Sequence, residues 1–113
     1  MRSHNSQEVQ YGFGQFGSIH VRGTTAVTCD IPSRVFVAIQ FLEDTKFNVA
    51  VAGLTPEVAQ LYPSSNGTST EIDGTSNTGV VTDGEVFPKG ITIYGRWTGF
   101  QLLTGGCIAY LGS

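Results

Sequence analysis

The residues best suited to acid–base, nucleophilic or metal chemistry in this 113-residue chain are two histidines, nine carboxylates and two cysteines. A nucleophilic site needs a nucleophile, a base and a group that orients the base. His4 lies in a polar opening stretch, and His20 stands between Ser18 and Arg22 on the polar side of an alternating segment, so it reads as a surface histidine. No G-x-S-x-G, H-E-x-x-H or paired Cys/His motif is present. Carboxylates pair at Glu43/Asp44, Glu71/Asp73 and Asp83/Glu85. Two carboxylates can hydrolyse a glycoside when they flank a dry cleft, but these pairs fall in turns or in a Gly/Ser/Thr-rich loop, where water solvates them. Glu71, Asp73 and Asn77 offer oxygens to Ca²⁺ without the EF-hand spacing. Gly12-Phe13-Gly14-Gln15-Phe16-Gly17 spells G-x-G-x-x-G, yet no strand precedes it and no helix follows. Cys29 and Cys107 are far apart and lack a nearby histidine, which excludes a zinc reading. Each sits in an apolar run and is expected to be a buried free thiol. A disulfide joining an early to a late strand is the alternative. The expectation is a chain with no catalytic, cofactor-binding or metal-ligating residues, not an enzyme, that works by binding and assembling.

The totals suit that expectation. Apolar residues make up 40% of the chain and charged residues only 13%, with 15 glycines among many Ser, Thr and Asn. This composition favours short strands and many turns over helical bundles. The net charge is −3 and the six basic residues are dispersed, so no basic footprint exists for nucleic acid. No apolar run approaches the ~20 residues of a membrane-spanning helix. Met1 to Gln10 lacks the apolar core of a signal peptide, so synthesis and use without Sec export are expected.

The elements that must position any site read as an N-terminal extended arm, 1–16, and a single β domain, 17–113. The arm carries Tyr11, Phe13 and Phe16 between Gly and Gln. Two roles are open to these rings, closing one end of the domain's own core or reaching a neighbouring subunit. Ile19 and Val21 alternate with Ser18, His20 and Arg22, the period of a half-buried strand. Thr25 to Ile31 repeats it with Val27, Cys29 and Ile31 on one face. Arg34 to Leu42 is apolar on both sides, with Val35, Val37, Ile39 and Phe41 on one face and Phe36, Ala38 and Leu42 on the other. Such a strand belongs at a sheet centre or under another subunit. A polar turn at Glu43-Asp44-Thr45 and a return strand to Gly53, with Phe47, Val49 and Val51 inward, predict a hairpin over 34–53. Thr55-Pro56-Glu57 has the chemistry of a helix start and Pro63 stops its continuation, predicting one short helix near 56–61. A low-complexity loop spans 64–79. Short strand pieces are expected at Val80-Val81 and Glu85–Phe87. Ile91 to Leu103 reads as a long strand, with Ile91, Ile93 and Trp97 on one face and Tyr94 and Arg96 on the other. Past Gly99 the apolar phase flips to Phe100 and Leu102, the mark of a bulge or bend. Cys107 to Leu111 pairs back. About seven strands in this length predict an all-β, small antiparallel sandwich or barrel.

Val86-Phe87-Pro88-Lys89-Gly90-Ile91-Thr92-Ile93-Tyr94-Gly95-Arg96-Trp97-Thr98, with Ile108-Ala109-Tyr110-Leu111, resembles the C-terminal strands of small β-rich virion proteins of tailed bacteriophages, marine and cyanobacterial ones included. The resemblance implies a phage virion structural protein, in its narrower form a capsid decoration or cement protein on the capsid exterior, assembled in the host cytoplasm. It implies the major capsid protein and further copies of this chain as partners, a homotrimer by analogy. The expected interface residues are Tyr11, Phe13, Phe16, Phe36, Leu42, Tyr94 and Arg96. A tail, collar or fibre component shares these features. A carbohydrate-binding module using Tyr94, Trp97 and the flexible loop 64–79 is the reading of a different class.

Overall fold

The computed structural model describes residues 16–48, 50, 53–58, 62, 82 and 84–113. Eight strands occur among them: β1 (Ser18–Arg22), β2 (Val27–Thr28), β3 (Val35–Phe41), β4 (Lys46–Phe47), β5 (Leu54–Pro56), β6 (Thr92–Phe100), β7 (Leu102–Thr104) and β8 (Gly106–Gly112). Every ladder is antiparallel. The main sheet runs β1-β8-β3-β6, with β2 and β5 both on β6, and β4 pairs β7 in a two-stranded sheet. Trp97 is opposite Phe36 of β3 and Pro56 of β5, while Phe100 is opposite Val27 of β2 and Leu54 of β5. A residue has one partner per edge, so β2 follows β3 along one edge of β6 and β5 covers the other. The sheet curls into a half-barrel, the all-β antiparallel architecture that the strand spacing predicts.

The doubly apolar strand takes the centre, as β3 between β8 and β6. Its faces are not as strict alternation predicts. On the β8 side Phe36 is opposite Leu111 and Ala38 opposite Tyr110, so Val37 is an extra residue. On the β6 side the same two residues are opposite Trp97 and Tyr94, so Val37 faces Gly95 and Arg96 together. This bulge reverses the phase of the strand. Phe36 therefore joins Ile39 and Phe41 in the core instead of lying opposite them. Val35 and Ala38 are also buried but outside that core cluster. The flip expected after Gly99 is present. The β5–β6 ladder skips Thr98, and Phe100 and Leu102 join Trp97 in the core. Gly99 has to be glycine, since a Cβ there would lie 2.8 Å from the Val27 carbonyl oxygen.

The predicted hairpin over 34–53 does not form. Both edges of β3 are taken by longer strands, and the chain leaves the sheet at Thr45. This buried residue exchanges two backbone hydrogen bonds with Phe87, at 2.9 and 2.8 Å. Its hydroxyl lies 2.8 Å from the Glu43 carbonyl and 3.3 Å from that of Gly106. Phe47 then points inward as expected; Val49 and Val51 lie outside the described residues. Phe41, Phe47 and Phe87 pack as a ring cluster, with centroids 5.0 to 6.1 Å apart and one stacked pair. Geometry of this kind is worth ~0.5–1.5 kcal/mol per pair beyond burial.

The predicted helix near 56–61 is also corrected at its start. Thr55 and Pro56 are extended in β5, and the Glu57 amide continues the ladder to the Arg96 carbonyl at 2.8 Å. Proline is tolerated because β5 is an edge strand. One 3.3 Å bond from the Tyr62 amide to the Val58 carbonyl closes a turn beyond it, and residues 59–61 lie outside the described set. So do the loop 64–79, Val80-Val81 and arm residues 1–15. Of the piece Glu85–Phe87, Phe87 forms a single bridge, with Thr45.

Both cysteines are free thiols. Cys107 is fully buried, and burial pushes its thiol from the ordinary 9.0 up to about 12. The unfolded thiol ionises first as pH rises, so the folded chain holds the extra proton and stability falls between about pH 9 and 12. Urea titrations across that range are expected to show a steeper loss for the wild type than for Cys107→Ala. Equal slopes would remove the thiol as the cause. Gly90 and Gly105 give a second check, having φ of +94° and +95°. A Cβ on Gly90 meets nothing within 4 Å, whereas one on Gly105 would lie 2.6 Å from the Asp44 carbonyl oxygen. Gly90→Ala is expected to cost about 1–2 kcal/mol from backbone strain alone, and Gly105→Ala at least ~1 kcal/mol more.

Candidate interaction surfaces

Register places a row of residues across the outer face of the main sheet: Ser18 of β1, Tyr110 of β8, Ala38 of β3 and Tyr94 of β6. The neighbouring row is His20, Ile108, Gln40 and Thr92. Directly opposed side chains stand ~5 Å apart at Cβ, so two tyrosines flank the single methyl group of Ala38. Ala38 is 1% exposed, while Tyr94 is 63% exposed. The Tyr110 hydroxyl lies 3.4 Å from Gln40 Oε1.

Arg96 lies two residues beyond Tyr94 on the same face. Its Nε donates to Glu57 Oε1 at 2.6 Å and its Nη2 to Oε2 at 3.3 Å, a two-pronged pairing with the carboxylate. Nη1 donates to the Ser113 carbonyl at 2.8 Å. The hydrogen bond from Arg96 holds the Glu57 carboxyl below its ordinary range. The guanidinium is thus fixed beside the exposed tyrosine by the first residue past β5 and the last residue of the chain.

The second feature is an apolar pocket on the inner side of the sheet, about 360 Å³ in volume. Its lining includes Ile19 of β1, Val27 of β2, Cys29, Ile31, Phe36 of β3 and Leu111 of β8. Phe36 and Leu111 are buried, while Ile19 and Ile31 are exposed. The half-buried Cys29 thiol donates to the Arg34 carbonyl at 3.2 Å.

The structure separates the residues that the sequence marks as interface candidates. Tyr94 and Arg96 come together on the outer face. Phe36 is 3% exposed and belongs to the core, which corrects its assignment to an open surface. Leu42 is half-buried, with its amide on the Gly106 carbonyl at 2.9 Å. Phe16 is exposed beneath the Arg34 guanidinium, 4.4 Å from ring centroid to Cζ. Tyr11 and Phe13 lie outside the described residues. Trp97 is fully buried, so it offers no platform to a sugar.

Sequence reasoning did not mark Glu57, Tyr110 or the pocket. Alternation does place Tyr110 opposite to Ala109 and Leu111, but only register shows that it neighbours Tyr94 across Ala38. Among the described residues no group of three or more His, Cys, Asp or Glu side chains could hold a metal ion. The chain matches no protein-family model, no curated protein and no solved structure.

Proposed function

We propose that this chain is a structural, non-enzymatic protein of a tailed-phage virion, of the capsid-decoration kind, which docks through its outer sheet face. The observation that carries the reading is Tyr94, standing 63% exposed beside an Arg96 already fixed by Glu57. Tyrosine and arginine dominate interface hot spots, and a guanidinium held in place loses less freedom on docking. The stretches resembling phage virion proteins support it further, because they supply most of β6 and of β8 and with them Tyr94, Arg96, Ile108 and Tyr110. Self-association through the outward residues of 34–42 is less well supported, since Val35 and Ala38 are buried within the chain itself. The tyrosine face takes that role. Its partners are the major capsid protein and two further copies of this chain in a trimer on the capsid exterior. Modest affinity per contact sums over symmetric sites and resists expansion of the filled head.

A carbohydrate-binding module is the second reading, and the exposed Tyr94 ring is the observation that favours it. Co-sedimentation separates the two. With heads of the encoding phage stripped of this protein, saturable binding is expected, weakened about ten-fold or more by Tyr94→Ala with unchanged thermal unfolding. Binding to isolated tails alone would move the protein to the tail, collar or fibre. Tyr94-dependent binding to a polysaccharide, with none to any virion part, would establish the second reading instead. Light scattering is expected to give three times the 12.0 kDa chain mass, and a monomer would overturn the trimer.

A further inference from the structure

We infer that the apolar pocket between β1, β2 and the end of β8 is the seat of the chain's own N-terminal arm, with Phe13 and Tyr11 as the side chains that fill it. The pocket is a built apolar cavity, since its floor is core and Ile19 and Ile31 on its walls are 40% and 53% exposed. Exposed aliphatic walls around a cavity of about 360 Å³ favour an apolar occupant over water.

The arm joins the described chain at this site. The Gly17 carbonyl accepts a 2.9 Å bond from the Leu111 amide, and a Cβ on Gly17 would lie 3.5 Å from Leu111 Cδ1. Leu111 is a lining residue. The Phe16 ring rests on Arg34, whose carbonyl accepts from Cys29 on the pocket wall. The described chain thus begins, at residues 16 and 17, beside Leu111 and Arg34 at the edge of the pocket. Phe13 is three residues before Phe16, a reach of ~10 Å, and Tyr11 is ~17 Å away at full extension.

The residue types in the arm match the cavity. Val9, Tyr11 and Phe13 alternate with Gln10, Gly12 and Gly14, so an extended arm presents all three on one side. Gly17, at φ +107°, lets the chain reverse. The short tether decides between the chain's own arm and that of another copy. It makes docking intramolecular, at an effective concentration of order millimolar, which a separate copy has to compete with.

Cys29 is a native reporter for this site. It lines the pocket, whereas the fully buried Cys107 is sheltered from reagents. Iodoacetamide labelling followed by intact mass and peptide mapping is expected to modify Cys29 about five-fold faster or more in full-length Tyr11→Ala/Phe13→Ala than in the wild type. Trp97 emission, unchanged, shows that the sheet is intact. An unchanged labelling rate would overturn the proposal. In otherwise wild-type Phe13→Cys, mild oxidation is expected to give an intrachain 13–29 disulfide, seen as a fast-migrating monomer on a non-reducing gel. A 13–29 link between two chains would give the pocket to another copy and overturn the inference, and so would the absence of any 13–29 link.

Discussion

The central constraint is a mismatch of register around Val37. Between the contacts made by Phe36 and Ala38, β3 carries one residue more than β8 and one fewer than β6. Three adjacent strands are thereby locked at different lengths over the same span, and a sheet built so has to bend. The bend is the half-barrel. It also assigns faces. Phe36 turns inward to pack edge-on against Phe100, with centroids 5.3 Å apart, and becomes a wall of the apolar pocket. Ala38 turns outward between two tyrosines. Gly95 completes the arrangement, because a Cβ there would lie 2.7 Å from the indole of Trp97, which folds back over it.

The two faces divide the chemistry. The inner face is built from aromatic and aliphatic contacts, and Thr45, the one buried hydroxyl among the described residues, has its bonding satisfied at the corner where the chain leaves the sheet. On the outer face Arg96 is bonded to Glu57 and Ser113, and Tyr110 to Gln40. The Tyr94 ring beside them is largely exposed. A surface organised in this way has little freedom left to lose on docking.

Much of this was legible in the sequence. Alternation located β1, β3, β6 and β8, set Phe47 and Trp97 inward and Tyr94 outward, and marked the phase flip near Gly99. It failed where a local signal competed with a long-range one. Thr55-Pro56-Glu57 has the chemistry of a helix cap, but the Arg96 carbonyl and guanidinium offer the Glu57 amide and carboxylate a ladder and an ion pair. Arg34–Leu42 and Lys46–Gly53 are spaced as a hairpin, but β6 and β8 outcompete so short a partner as β4. The bulge at Val37 has no residue signature, neither Gly nor Pro, so an unbroken apolar alternation concealed the reversal that buries Phe36. The tyrosine row and the pocket are products of register, which a single strand does not carry.

Thr45 and Glu57 fasten positions whose sequence neighbours are far away. Phe87 is pinned to Thr45 by two backbone bonds, and Glu57 is pinned to Arg96 by its amide and its carboxylate. The segment from 58 to 86 is therefore tied to the sheet at both of its ends. Closing a longer loop between fixed ends costs only ~0.6 kcal/mol per doubling of its length. The length of chain between these two anchors is thus cheap to change. Related chains are free to lengthen or shorten it, and an epitope or small domain inserted between residues 64 and 79 is expected to cost the fold little.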